Sequence, residues 1–179
     1  MPRFAMTMDT RRCVGCSDCV LACKTENRLP DGVARDWIVQ EAGGRFPNLW
    51  MENRSERCNH CSDPPCVHTC PTGASHVHSG DGVVLVTPDR CIGCKSCIAA
   101  CPYDARYIHP DGYVSKCTFC IHRTANGGKP ACVSVCPTYC LEFGDLDDPS
   151  SEVSKLLASR KFKVLLPEAG TEPNVYFLV

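Results

Sequence analysis

Apolar residues along the chain come in short runs whose spacing switches between strand-like and helix-like. Between Pro71 and Arg90 the segment GASHVHSGDGVVLVTPDR places two β-like runs on either side of Gly80-Asp81-Gly82, a hairpin signal. A second hairpin is predicted in RYIHPDGYVSK, turning at Pro110-Asp111-Gly112. Residues 24–57 carry RDWIVQEAG and RFPNLWMENRS, two β-like arms around Gly43-Gly44, which are expected to cover the core or a partner. Near the C-terminus Ser150 or Ser151, then Glu152, then Val153, Leu156 and Leu157 read as a capped amphipathic helix. FKVLL and NVYFLV read as strands separated by PEAGTEP. This tail, residues 146–179, carries no ligand chemistry and is expected to pack over the core rather than serve as a docking arm. The mixture predicts an α+β fold.

Composition narrows the class. A chain of 179 residues can hold one ordinary domain or two very small ones, and 13 glycines with 14 prolines imply many turns. Lys and Arg are scattered, and the formal net charge is −1, so no nucleic-acid footprint is visible. No apolar run approaches the length of a membrane span. The N-terminus MPRFAMTMDTRRC has no apolar region behind a basic patch, and Arg11-Arg12 is a weak twin-arginine candidate; export would need a partner's signal or a removed segment. Seventeen cysteines change the picture most. Disulfide frameworks, structural zinc modules and iron-sulfur proteins all use cysteine this heavily, and spacing decides among them.

In CIGCKSCIAACP, Cys91 to Pro102, three cysteines stand three apart, a fourth follows after three residues, and proline comes next. This is the bacterial 4Fe-4S run. The unit occurs twice: CVGCSDCVLAC from Cys13 to Cys23 shares six of eleven residues with Cys91 to Cys101. A second unit is also duplicated, since PPCVHTCPTGA from Pro64 to Ala74 matches PACVSVCPTYC from Pro130 to Cys140, each preceded by a CxxC at Cys58/Cys61 and Cys117/Cys120. The last motif is the least regular, with IHRTANGGKPA inserted between Cys120 and Cys132, an insertion that must bulge outward.

A disulfide framework fits an odd cysteine count poorly, and zinc sites use two CxxC pairs rather than runs of three with a distant fourth. The radical-enzyme signature CxxxCxxC is absent. All sixteen motif positions are cysteine, which favours four 4Fe-4S clusters over a three-iron variant. Short helix, hairpin and next cysteine loop is the connectivity of a two-cluster ferredoxin, in which the fourth cysteine of a run turns to the neighbouring cluster. On that pattern one cluster takes Cys58, Cys61, Cys66 and Cys101, and its neighbour Cys91, Cys94, Cys97 and Cys70. Of the outer pair, one takes Cys13, Cys16, Cys19 and Cys136, and the other Cys117, Cys120, Cys132 and Cys23, although Cys23 precedes Lys24 rather than proline. Cys140 aligns with Ala74 in the repeat and is expected to be a small buried residue, not a ligand. Bound thiolates and reduced clusters make the loaded protein more acidic than its formal charge.

Each motif is preceded by a basic residue, Arg12, Arg57, Arg90 or Lys116. Such charges either sit in solvent where the chain enters a loop or lie beside a cluster and favour its reduced form. His60, His68, His76, His78, His109 and His122 are expected at the surface or in packing, because cysteine already saturates each cluster. Tyr103, Phe119 and Tyr139 are expected to shield clusters from water.

The four motifs in this order resemble the four-cluster iron-sulfur subunits of the molybdopterin oxidoreductases of the dimethyl-sulfoxide reductase superfamily. The stretch CPYDARYIHPDGYVSKCTFC together with PACVSVCPTYCLEFGD is most similar to polysulfide or thiosulfate reductase electron-transfer subunits. The resemblance implies two interleaved two-cluster ferredoxin-like halves, residues 58–110 and residues 1–57 with 111–145. It also implies a relay between a molybdenum or tungsten bis-pterin catalytic subunit and an integral membrane, quinone-reactive subunit. No residue of the chain is expected to be catalytic. Association with the membrane through partners, on the outer face by co-export, follows from the same resemblance, with a cytoplasmic orientation as the alternative. A free-standing polyferredoxin and a zinc-stabilised interaction module are the other readings.

Overall fold

The computed structural model describes residues 2–179. Strand β1 (Phe4–Asp9) leads into the first cysteine loop, and helix α1 (Asp18–Glu26) starts at its end. The two CxGC loops turn through glycine for a steric reason. Gly15 and Gly93 both take positive φ, 70° and 66°, and a Cβ on Gly93 would stand 2.6 Å from the carbonyl oxygen of Gly112.

Strands β2 (Asp36–Arg45) and β3 (Asn48–Arg57) form one long antiparallel ladder, from Asp36 opposite Arg57 to Arg45 opposite Asn48. The turn therefore falls at Phe46-Pro47 and not at Gly43-Gly44. Pro47 has no N–H for the ladder, whereas Gly43 and Gly44 pair with Trp50 and Leu49 across it. Three carboxylates, Glu41, Glu52 and Glu56, close around the guanidinium of Arg54 at 2.6, 2.9 and 3.1 Å and brace the arm along its length.

Helix α2 (Pro65–His68) leads to the hairpin of β4 (Ser75–Val77) and β5 (Val84–Val86), and α3 (Ser96–Ala99) to the hairpin of β6 (Tyr107–Ile108) and β7 (Val114–Ser115). Both hairpins turn where the glycine-containing signals place them. Helices α4 (Ile121–Thr124) and α5 (Ala131–Ser134) follow, with residues 125–129 between them exposed, so the insertion after Cys120 does bulge outward. The helices pack in two pairs, α1 against α5 and α2 against α3.

The chain closes with β8 (Leu141–Asp145), α6 (Glu152–Ser159), β9 (Phe162–Lys163) and β10 (Val175–Leu178). Ser151 caps α6, its side chain accepting the N–H of Ser154 at 3.2 Å. The FKVLL strand is cut to two residues because Leu166 takes φ 45° ahead of Pro167 and leaves the extended region.

These last elements do more than cover the core. They join β1 in a four-stranded sheet of order β8-β1-β10-β9, in which β1 is parallel to β10 and antiparallel to β8. Met6, Met8, Leu141, Val153, Phe177 and Leu178 are all fully buried there. The tail thus supplies part of the core instead of only overlaying it.

Candidate metal centres

Local structure places the cysteines around holes. One cavity is lined by Cys23 from α1, by Cys117 and Cys120 from the loop before α4, and by Cys132 on α5. A second is lined by Cys58, Cys61, Cys66 and Cys101. A third is lined by Cys70, Cys91, Cys94 and Cys97. Each draws three sulfurs from one stretch of chain and a fourth from another. The three cavities share no cysteine, and each presents the same set of four sulfurs.

The remaining motif cysteines lie where α1 meets α5: Cys13, Cys16 and Cys19 in and after the first loop, Cys136 just past α5. Cys13, Cys19 and Cys136 pack in one core cluster. None of the seventeen cysteines is paired in a disulfide. Among the described residues, no three His, Cys, Asp or Glu side chains converge closely enough to hold a single metal ion. Four sulfurs set around one cavity suit a multi-atom group with soft metal sites rather than one zinc ion at bond length.

The environments of the sulfurs differ from cavity to cavity. The cavities of Cys132 and Cys66 are deep. Arg57, 2% exposed, donates from Nη1 to Sγ of Cys132 at 3.0 Å, and Arg106, 5% exposed, donates from Nη2 to Sγ of Cys66 at 2.8 Å and to Ser75 Oγ at 3.0 Å. Lys116 is buried as well, its Nζ donating to the carbonyls of Val84 and Cys117. Burial pushes the thiol of Cys117 up to about 12 and those of Cys61 and Cys132 up to about 11, so a metal group bound there would displace protons from them. Lys116, reaching Val84 of one cavity and Cys117 of the other, sets these two deep cavities side by side.

Asp36 also lines the Cys132 cavity. Its carboxyl is raised by burial against the opposing pull of Arg57, and neither oxygen has a hydrogen-bond partner among the described residues.

The other two sites reach the surface. Cys94 and Cys16 are exposed, and beside them Ile92 and Val14 stand 67% and 62% exposed. The sulfurs there take neutral donors: the N–H of Ser75 at 3.3 Å for Cys70, of Val114 at 3.4 Å for Cys91, and of Cys140 at 3.3 Å for Cys136.

The basic residues ahead of the four motifs divide in two. Arg57 and Lys116 are buried; Arg12 and Arg90 are exposed, with Arg90 hydrogen-bonded to the carbonyl of Thr72. None of the six histidines lines the three cavities. His60 is buried, stacks on Phe119 at 3.8 Å between centroids and accepts the N–H of Val84, while His68, His78, His109 and His122 lie beside carboxylates and His76 beside the carbonyl of Ala74. Phe119 and Tyr103 line cavities and keep water out. Tyr139, at 69% exposed, does not: it sits at φ 51° in the turn after Cys136 and points into solvent. Arg106 and Asp36 escape a reading of the sequence, because neither adjoins a cysteine and each reaches its site only through the folded hairpins.

Residues 49–146 match a 4Fe-4S dicluster domain, and residues 12–75 match a second 4Fe-4S dicluster domain. The protein belongs to the 4Fe-4S dicluster family. Within it, the sequence is 45% identical over 180 residues to Protein NrfC of Escherichia coli K12, covering 97% of this protein and 79% of that one. It is 42% identical to a subunit of the tetrathionate reductase of Salmonella typhimurium, over 98% of this protein and 72% of that one. It is also 42% identical to a chain of the polysulfide reductase of Wolinella succinogenes, over 98% and 94%. This dicluster protein is thus one of the iron-sulfur subunits of the dimethyl-sulfoxide reductase superfamily, and its two ferredoxin-type domains hold four 4Fe-4S clusters. Among its described residues no helix is long and apolar enough to cross a membrane.

Proposed function

We propose that the chain is the wire of a membrane-associated oxidoreductase, relaying electrons between a molybdenum or tungsten bis-pterin catalytic subunit and a quinone-reactive membrane subunit. The ligand sets of this reading are Cys70, Cys91, Cys94 and Cys97; Cys58, Cys61, Cys66 and Cys101; Cys23, Cys117, Cys120 and Cys132; and Cys13, Cys16, Cys19 and Cys136. The observation that carries it is the set of three cavities, each lined by four cysteines taken from two runs. When bound, the clusters supply one-electron redox chemistry. The chain's own residues hold them, bury two and leave two near the surface. With four thiols per cubane no iron is left open to a substrate, which makes a conductor and not a catalyst.

The packing of α2 on α3 and of α1 on α5 supports two interleaved ferredoxin-like halves, 58–110 and 1–57 with 111–145. The tail 146–179 then locks the second half, since β10 pairs with β1. The names of two relatives, of a tetrathionate and a polysulfide reductase, favour a polysulfide or a sulfur oxyanion as the terminal substrate; anaerobic respiration and placement on the outer face of the membrane belong to the same proposal.

The test uses the assembled complex and the isolated subunit. Reconstituted alone, the subunit accepts electrons from a strong reductant but turns over no polysulfide, thiosulfate or sulfoxide; adding the pterin subunit restores turnover. Cys94→Ser in the complex slows quinol-driven turnover and spares turnover driven by a small dye that reduces the catalytic subunit directly. Substrate reduction by the isolated chain at rates comparable to the complex, or an equal loss in both assays with the complex intact, overturns the reading.

A further inference from the structure

Four cations, Arg54, Arg57, Arg106 and Lys116, are buried among the described residues; Arg57 lines the Cys132 cavity, Arg106 the Cys66 cavity, and Lys116 donates to the carbonyls of Val84 and Cys117 in their walls. Burying a guanidinium is costly unless a negative group compensates it. Neither Arg57 nor Arg106 has a carboxylate within ion-pair distance among the described residues, in contrast to Arg54, which has three. Nε of both and Nη1 of Arg106 have no hydrogen-bond partner among the described residues. Each donates to one cysteine sulfur, Cys132 for Arg57 and Cys66 for Arg106, and to one serine, Ser55 and Ser75. For Arg106 the compensating charge is therefore the ligand thiolate and the cluster behind it; Arg57 shares them with Asp36 in the same cavity.

The surface cavity of Cys70, Cys91, Cys94 and Cys97 provides the contrast. Its lining is completed by Thr72, Ala74, Ser75, Val86, Ile92 and Val114, none of them charged. The potential of a 4Fe-4S centre follows its net charge, the hydrogen bonds to its sulfurs and its solvent exposure. A fixed positive charge donating to a ligand sulfur from a dry site favours the reduced state, in which the centre carries one more negative charge.

We propose that Arg57 and Arg106 are potential-setting residues, each chiefly for the centre whose ligand sulfur its guanidinium touches. Chain order misleads here. Arg57 directly precedes Cys58, yet it acts on the centre of Cys23, Cys117, Cys120 and Cys132, because β3 delivers its side chain across the boundary between the two deep cavities. Arg106 lies five residues beyond Cys101 and acts on the centre of Cys58, Cys61, Cys66 and Cys101. Both raise the potential of their own centre most; Arg106, which also bonds Ser75 in the wall of the surface cavity beside Cys97, moves the centre of Cys91 by less.

Paramagnetic-resonance titration of the reconstituted subunit against ambient potential tests this without any turnover. Cys117→Ser and Cys61→Ser first mark which signal belongs to which deep centre. Arg57→Met then lowers the midpoint of the Cys117-marked signal most, and Arg106→Met that of the Cys61-marked signal most. Each of these shifts is at least tenfold in the oxidised-to-reduced ratio, about 59 mV for one electron. Arg57→Lys and Arg106→Lys keep the charge but lose the fork geometry, so each moves the same signal in the same direction by less. A methionine variant that fails to load its full iron leaves the matching lysine variant to decide by that smaller shift. A larger shift on another centre, an equal shift of all four, or none with iron intact overturns the proposal. The inference rests on the ligand sets proposed above, and an error in those sets appears earlier and separately, as serine variants that alter the wrong signals in a chain with both arginines present.

Discussion

Sγ of Cys140 lies 3.4 Å from Sγ of Cys136, and the backbone N–H of Cys140 donates to that same sulfur at 3.3 Å. The seventeenth cysteine is thus in contact with a motif cysteine while occupying a different place in the repeat. Its counterpart Ala74 is equally buried, so the position takes a small side chain against the end of a cysteine loop. Burial, followed by the neighbouring Cys136, pushes the Cys140 thiol well above its ordinary range, and it stays protonated. Cys140→Ala is expected to keep the full iron content and all four paramagnetic signals. Loss of one cluster's worth of iron would assign Cys140 a ligand's role instead.

Cys101 ends the run that begins at Cys91, but it lines the cavity of Cys58, Cys61 and Cys66. Cys101→Ser is expected to perturb the same signal as Cys61→Ser and to leave intact the one that Cys94→Ser removes. The opposite match of spectra would mean that each run serves a single cluster, contrary to the crossing.

Ser151 holds the start of α6 from both sides, accepting the N–H of Ser154 and donating to the carbonyl of Asp145 at 2.6 Å. Replacing a serine cap by alanine costs about 1 kcal/mol. In Ser151→Ala, amide exchange across Glu152–Ser159 should accelerate about fivefold, with iron content unchanged. Exchange at the wild-type rate would show that the packing of Val153, and not the cap, fixes the helix.

Arg54 stands at the centre of three carboxylates, and Lys163 of β9 reaches one of them, Glu52, at 3.0 Å. Arg54→Ala leaves those carboxylates repelling one another along β2 and β3. Limited proteolysis is expected to cut the Asp36–Arg57 arm faster, while the iron stays in place. Cleavage no faster than in the wild type would mean that the ladder alone stiffens the arm.

Much of the architecture is legible before folding because cysteine spacing and turn chemistry are local. Gly80-Asp81-Gly82 and Pro110-Asp111-Gly112 specify their hairpins within a few residues, and Ser151 with Glu152 and Val153 specifies α6. The central sheet is not local. FAMTMD is buried on both faces and lacks alternation, and its partners, Val175 to Leu178 and Leu141 to Asp145, lie far along the chain. The turn of the long arm falls at Phe46-Pro47 rather than Gly43-Gly44 because ladder register, not glycine content, chooses it. Among site residues, Arg57 is visible as a basic neighbour of Cys58, but its true contact with Cys132 depends on the reach of a side chain between motifs. Arg106 and Asp36 carry no mark in the sequence.

The parallel pairing of β1 with β10 has a consequence for the order of events during synthesis. Met6 lies opposite Val175 and Asp9 opposite Leu178, so this strand, translated before every cysteine run, has one of its two neighbours only once residues 175–178 have been made. Meanwhile the cysteines from Cys13 onward have already emerged, and the run that starts there waits for Cys136 to meet it. A ribosome-bound intermediate therefore carries a long series of unfilled thiols beside an open strand edge, the combination most exposed to oxidation and to mispairing with another chain. Shielding by a chaperone, together with metal delivery after release, would suit this topology better than stepwise loading as each motif appears.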